Sequence, residues 1–141
     1  MAEVNFQTPT EGTYQDLSAL LGLDPKANAC HVVTTVSEKA IQGLTFAQFA
    51  AHGAHGVAGV TVTAKPSLPG PIYFNEGVIP DVNQKLSSRD GGVLFTNVPA
   101  GTYTLTATHP TQQFVPIVVT CAPGRIVNAN PPWGLHEVVG K

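Results

Sequence analysis

Charge is what this sequence has least of. Charged side chains make up 11% of its 141 residues, under half of the roughly 25% usual in soluble domains. Seven Lys and Arg stand against nine Asp and Glu, for a formal net charge of −2. No basic stripe runs along the chain, which argues against a nucleic-acid binder. Long apolar runs are missing too, and none reaches the ~18 residues of a membrane-spanning helix. The two cysteines, Cys30 and Cys121, form no Cys-x-x-Cys, so neither a zinc site nor a thioredoxin-like redox pair is indicated. Gly-x-Ser-x-Gly, the P-loop and Gly-x-Gly-x-x-Gly are absent. No Ser-His-Asp arrangement can be assigned. The expectation is a protein that is not an enzyme and uses no cofactor.

What is present is apolar content and turn chemistry. Hydrophobic residues reach 43%, with 14 Gly and 12 Pro. A chain of this length buries about 68% of its unfolded surface, enough for one core. Residues 1–12 are polar and read as an extended arm. Thr13 followed by Asp16 reads as a helix start, Leu17, Leu20 and Leu21 as its apolar stripe, and Gly22 as its end, for a helix over 14–21. The span 1–28 is thus arm plus helix. From Ala29 the period changes to two. Strands are expected at 30–37, 60–64, 72–74, 84–88, 93–95, 103–108, 114–120 and 125–129, with Pro116 marking an edge or bulge. Gly77 to Asn83 reads as a loop. Between the first two strands lies an insertion, 38–56, in which Thr45-Phe46-Ala47-Gln48 is a capping-box pattern for a second short helix ended by Gly53. Residues 130–141 read as a tail. Seven or eight short strands with a turn every 8–12 residues describe an all-β sandwich with one or two short peripheral helices.

Met1-Ala2 is followed directly by polar residues, without the charged and apolar regions of a signal peptide. The favoured reading is a mature secreted, periplasmic or cell-surface protein carrying an added Met, the alternative a cytosolic one. Cys30 opens the first strand and Cys121 closes a late one. A disulfide between them is expected, the alternative being two buried thiols acting as small hydrophobes.

One segment carries a family likeness. Ser87-Ser88-Arg89-Asp90-Gly91-Gly92-Val93-Leu94-Phe95 followed by Val98-Pro99-Ala100-Gly101-Thr102-Tyr103-Thr104-Leu105 resembles the core of carboxypeptidase regulatory-like domains. Upstream, Gly56-Val57-Ala58-Gly59-Val60-Thr61-Val62 is similar to the approach to their second strand. The resemblance spans about 29–129. It implies a transthyretin-like (prealbumin-like) Greek-key sandwich and says little of function. It also implies that Tyr103 returns its hydroxyl to the backbone at a corner, as in related sandwiches. The chain departs from the family pattern at Ser87-Ser88, in the long 38–56 insertion and in the added N-terminal helix.

Several constellations suggest sites. His52 and His55, three apart among glycines, are candidate metal ligands, with His31, Asp90 or Glu76 as completing ligands. Tyr73, Tyr103, His109 and His136 are similar in type to the iron ligands of intradiol dioxygenases, but the close His pair expected of that resemblance is missing. The Tyr-Arg-Gly-Ser signature of hydroxyisourate hydrolases is absent. Lys65 is the amine an isopeptide crosslink would use, but Ala107 stands where the assisting Glu belongs. Phe46, Phe49 and Trp133 are the large apolar groups outside the expected core, and so the candidate interface. The functional expectation is a non-catalytic structural or protein-binding module of the cell envelope or extracellular space, or a subunit of a larger assembly or fibre. It would act through the arm, the insertion or the tail, with no nucleic-acid partner. The alternative is a small metal-binding protein or metalloenzyme built on His52 and His55.

Overall fold

Among the described residues the alternation of the sequence becomes nine strands in two sheets. The computed structural model describes residues 11–130 and 133–138, the side chains of 11–14 and 17 excepted. The elements are α1 (Glu11–Leu20), β1 (Ala29–Ser37), α2 (Phe46–His52), β2 (Thr61–Lys65), β3 (Ile72–Phe74), β4 (Pro80–Asp81), β5 (Gly92–Pro99), β6 (Gly101–Thr108), β7 (Ile117–Cys121), β8 (Ile126–Asn128) and β9 (Leu135–His136). One sheet runs β4-β3-β5-β1-β8, with β9 also paired to β1, and the other runs β2-β6-β7.

Strand β6 shows why the pattern works. Tyr103, Leu105 and Ala107 are buried while Thr102, Thr106 and Thr108 face solvent, the period-two signature of a sheet with one wet face. Its partners repeat the pattern, with Val62 on β2 and Val119 on β7 pointing inward. Strand β1 is instead buried along nearly its whole length. It sits inside its sheet, antiparallel to β5 on one side and parallel to β8 and then β9 on the other. Cys30, Val32 and Val36 join Phe95, Val98, Leu105 and Leu135 in one core shared by both sheets.

The Cys30–Cys121 disulfide is formed, with Cα atoms 5.8 Å apart, and ties β1 of one sheet to β7 of the other. At the β5–β6 corner the Tyr103 hydroxyl donates to the Pro99 carbonyl at 2.9 Å. The expected corner bond is therefore present.

Several expectations need correction. Helix α1 begins at Glu11, which places Thr13 inside it rather than at its cap. Its end is as read: the Gly22 N–H reaches Ala19 O and the Leu23 N–H reaches Ser18 O, with Gly22 at φ 61°. Of the expected stripe, Leu20 faces solvent and Leu21 is half-buried. Leu20 is 63% exposed, while Ser18 is buried against His31. The weak strand expected at 84–88 does not form. There the Ser87 backbone exchanges two bonds with Gly59 and Val60, and the hydroxyls add to them, Ser87 donating to Val57 O and Ser88 to Phe74 O. A two-residue strand, β4, lies within the segment read as a loop. Strand β7 starts only after Pro116, which has no N–H to give. The segment read as a tail carries β9, and its Leu135 is fully buried, so the core runs beyond residue 129. The arm expected over 1–12 lies, up to Thr10, outside the described residues.

Candidate functional site

The 38–56 insertion is an excursion whose two ends are hydrogen-bonded together. Glu38 N–H donates to His55 O, Val57 N–H to Val36 O, and Ser37 bridges to Gly56. A seven-residue helix is marginal alone, and α2 survives on local devices. Thr45 and Gln48 form the full capping box, the Gln48 N–H donating to Thr45 Oγ1 at 3.3 Å and the Thr45 N–H to Gln48 Oε1 at 2.9 Å. At the other end His52 Nε2 lies 2.7 Å from Glu38 Oε1, clasping the helix to the stem. The Phe49 and His55 rings meet at a tilt, with centroids 4.8 Å apart and planes 53° apart.

No residue of α2 is buried. Phe46 is 58% and Phe49 37% exposed, so two aromatic groups of the candidate interface stand on the surface together. Trp133, the third, is half-buried and packs edge-on against His136, with centroids 5.5 Å apart.

Beside the root of α2 opens a cleft of about 430 Å³. Three connections line it: Gly53 to His55 of the insertion, Glu76 and Val78 of the β3–β4 loop, and Arg89-Asp90 of the turn before β5. Its backbone frame is tightly fixed. Gly56 N–H donates to Arg89 O, and a Cβ at Gly56 would fall 2.3 Å from Gly91 N, so only glycine allows this approach. Gly91, at φ 76°, makes the turn. Asp90 Oδ2 accepts from Gly92 N–H, and Asn75 Oδ1 accepts from both Gly77 and Ile79 N–H. Val78 is held at φ 63° between them, a conformation rare for a β-branched residue. The sequence did not reveal this cleft, because its walls come from three separate loops. The nearest signal was the suggested ligand set, three of whose members, His55, Glu76 and Asp90, line the cleft.

Of the candidate metal ligands, His55, Glu76 and Asp90 line this cleft together, while His52 and His31 are not in its lining. His52 is held by Glu38, and His55 Nδ1 by Gly53 O at 3.1 Å. Among the described residues no group of three or more His, Cys, Asp and Glu is placed to hold a metal ion. His31, a suggested completing ligand, is fully buried under α1. Its Nδ1 accepts from Asn97 N–H at 3.0 Å, which leaves the proton on Nε2, 3.4 Å from Ser18 Oγ. Burial holds its pKa below the ordinary value, although the backbone at Cys30 acts the other way. The remaining suggested ligands are engaged structurally: Tyr73 accepts from Val62 N–H, Tyr103 donates to Pro99 O, His109 contacts Thr111, and His136 Nδ1 meets Gly134 O. Burial raises the Tyr73 pKa against the opposing effect of the Val62 bond. Lys65 lies exposed on β2.

Among the described residues no helix is long and apolar enough to cross a membrane. No protein-family model and no curated protein matches the sequence.

Proposed function

We propose that this chain is a non-catalytic binding module of the carboxypeptidase regulatory-like type, with a transthyretin-like Greek-key arrangement of its two sheets. It works in the cell envelope or extracellular space, holding a protein partner or serving as a subunit of a larger assembly. The Tyr103–Pro99 corner bond supports the family likeness. The disulfide favours an oxidising compartment. The observation that carries the functional reading is α2. The insertion builds a helix with a capping box at its N-terminus, clasps it at its base, and leaves Phe46 and Phe49 exposed. Such a helix adds nothing to the core, and it offers i, i+3 aromatic anchors of the kind that seat in a partner's groove.

The test is a photo-crosslinking residue at position 46, with position 63 on the exposed face of β2 as control, in extracts of the native envelope. Adducts at 46 that vanish with Phe49→Ser, and none at 63, are the expected result. The Phe46→Ser/Phe49→Ser protein should keep its stability within about 0.5 kcal/mol per site, as exposed substitutions do. Equal labelling at both positions, or none at either, would overturn the reading.

A further inference from the structure

We propose that the cleft beside α2 receives a basic side chain, a lysine or arginine on an extended segment of the partner. This rests on the binding-module reading and names the chemistry of what is bound. The cleft is lined by one cation, Arg89, and two carboxylates, Glu76 and Asp90, together with His55. Among the described residues neither Arg89 nor Glu76 forms an ion pair. Asp90 uses one oxygen, Oδ2, to fix its own turn and keeps Oδ1 available. His55 is set as an acceptor: its Nδ1 faces the Gly53 carbonyl and must carry the proton, so Nε2 of the neutral ring presents a lone pair. Three acceptors against one donor group favour a donor-rich ligand.

The acceptors do not gather closely enough for a metal ion. Spread acceptors suit instead a polyatomic cation, whose several N–H groups point in different directions. Arg89 then faces the backbone carbonyls of the same segment, which an extended peptide supplies at every residue. The frame is rigid where it needs to be. The glycine contact between Gly56 and Gly91 and the Asn75 bonds fix the backbone, so little ordering is required on binding. Val78, held in its strained conformation, forms an apolar wall along which the aliphatic stem of a lysine or arginine can lie.

The probes are three capped tripeptides, Gly-Lys-Gly, Gly-Gln-Gly and Gly-Glu-Gly, titrated to millimolar concentration into isotope-labelled full chain and followed by amide chemical shifts. The lysine peptide should move residues 53–55, 76–78 and 89–91, and the other two should not. Glu76→Gln, at an exposed position that leaves the fold alone, should weaken the lysine peptide about threefold, the effect of one exposed ion pair. About 1 M salt, with a Debye length near 3 Å, should weaken it as well. Equal shifts from the glutamine peptide would overturn the role of charge, and preference for the glutamate peptide would hand the cleft to Arg89. If no peptide shifts these amides while position 46 still crosslinks, the cleft inference falls and the binding module stands. If the lysine peptide binds but position 46 captures nothing, the cleft stands and the α2 interface falls.

Discussion

Removing the Cys30–Cys121 bond should cost this domain a large part of its stability. The bond joins residues 91 apart and links a strand inside one sheet to the outer strand of the other. Closing a loop of that length removes about 15.5 cal/mol/K of chain entropy from the unfolded state, or about 4.6 kcal/mol at 25 °C. With an unfolding entropy of about 2.1 cal/mol/K per residue, the thermal midpoint should fall by about 15 °C. Both sulfurs are buried, so reductant will not reach the folded protein readily. The bond should be reduced in denaturant and the chain refolded with reductant present. Reduction keeps both sulfur atoms in the core, so packing changes little and the loop term dominates. Substitution to alanine would add a cavity. The assay is a pair of melting curves with and without the bond, accompanied by urea titrations. The reduced chain should also show a steeper urea dependence, because its unfolded state is more expanded. A drop under about 4 °C, a shift that ~1 kcal/mol would give, would refute the reasoning. The unfolded chain would then already hold the two segments together.

Three further outcomes can be measured on the same material. Tyr103→Phe leaves the Pro99 carbonyl without its 2.9 Å partner and should cost about 1–1.5 kcal/mol in urea unfolding with an unchanged slope. Leu135→Ala empties a fully buried site in the segment read as a tail and should cost about 2–5 kcal/mol, whereas a dispensable tail would show almost nothing. Acid should destabilise the fold in two windows. His31 is held neutral below its ordinary value of 6.5, so the unfolded chain protonates first and stability is lost as pH falls below 6.5. His31→Asn, which keeps an acceptor for Asn97 N–H, should flatten that part of the profile. Glu137 titrates below its ordinary value of 4.5. Its burial acts upward, but hydrogen bonds from the Lys39 backbone and Gln112 outweigh it, with Lys39 and His109 charges adding. Its share of the stability is therefore lost lower, as pH falls below 4.5, and a single transition spanning both windows would contradict this assignment.

What could be read in advance was what is encoded locally. The capping box of α2 is four consecutive residues, and it formed where Thr45 and Gln48 place it. Strand β6 carries its own alternation, so its inward residues were legible without knowing its partners. The departures share a cause. Strands β4 and β9 are two residues each, too short to show a period, and they exist because β3, just before β4, and the distant β1 offer them partners. Ser87 and Ser88 have the look of a strand edge in the sequence, yet they are buried because their hydroxyls have backbone partners from Val57 and Phe74. Ser18 of α1 is buried because a histidine lies beneath it, a contact with residue 31 that the local pattern of the helix does not show. His52 offers a metal ligand in the sequence, but Glu38, fourteen residues earlier, takes its ring.

The insertion is anchored along its first part and at its root, while its helix stands free of the core. Ile41 is buried, Lys39 N–H and Gln42 Nε2 donate to Glu137, the stem is closed by backbone bonds from Glu38 and Val57, and the root presses on the β5 turn glycine to glycine. Changes between Leu44 and Ala51 therefore leave the core packing of β1, β5 and β6 untouched. Substitution at Gly56 does not, because any side chain there strikes the backbone of Gly91. Recognition can thus vary along α2 while the frame stays fixed. His55 is where the two parts join. Its ring meets Phe49 of the helix at a tilt, and the residue also lines the cleft with Arg89 and Asp90. A ligand that draws His55 Nε2 into a hydrogen bond has to move or fix that ring, and with it the seat of Phe49. On the proposed binding-module reading, cleft and helix would be two contacts of one docking surface, and a partner segment that filled the first would order the second.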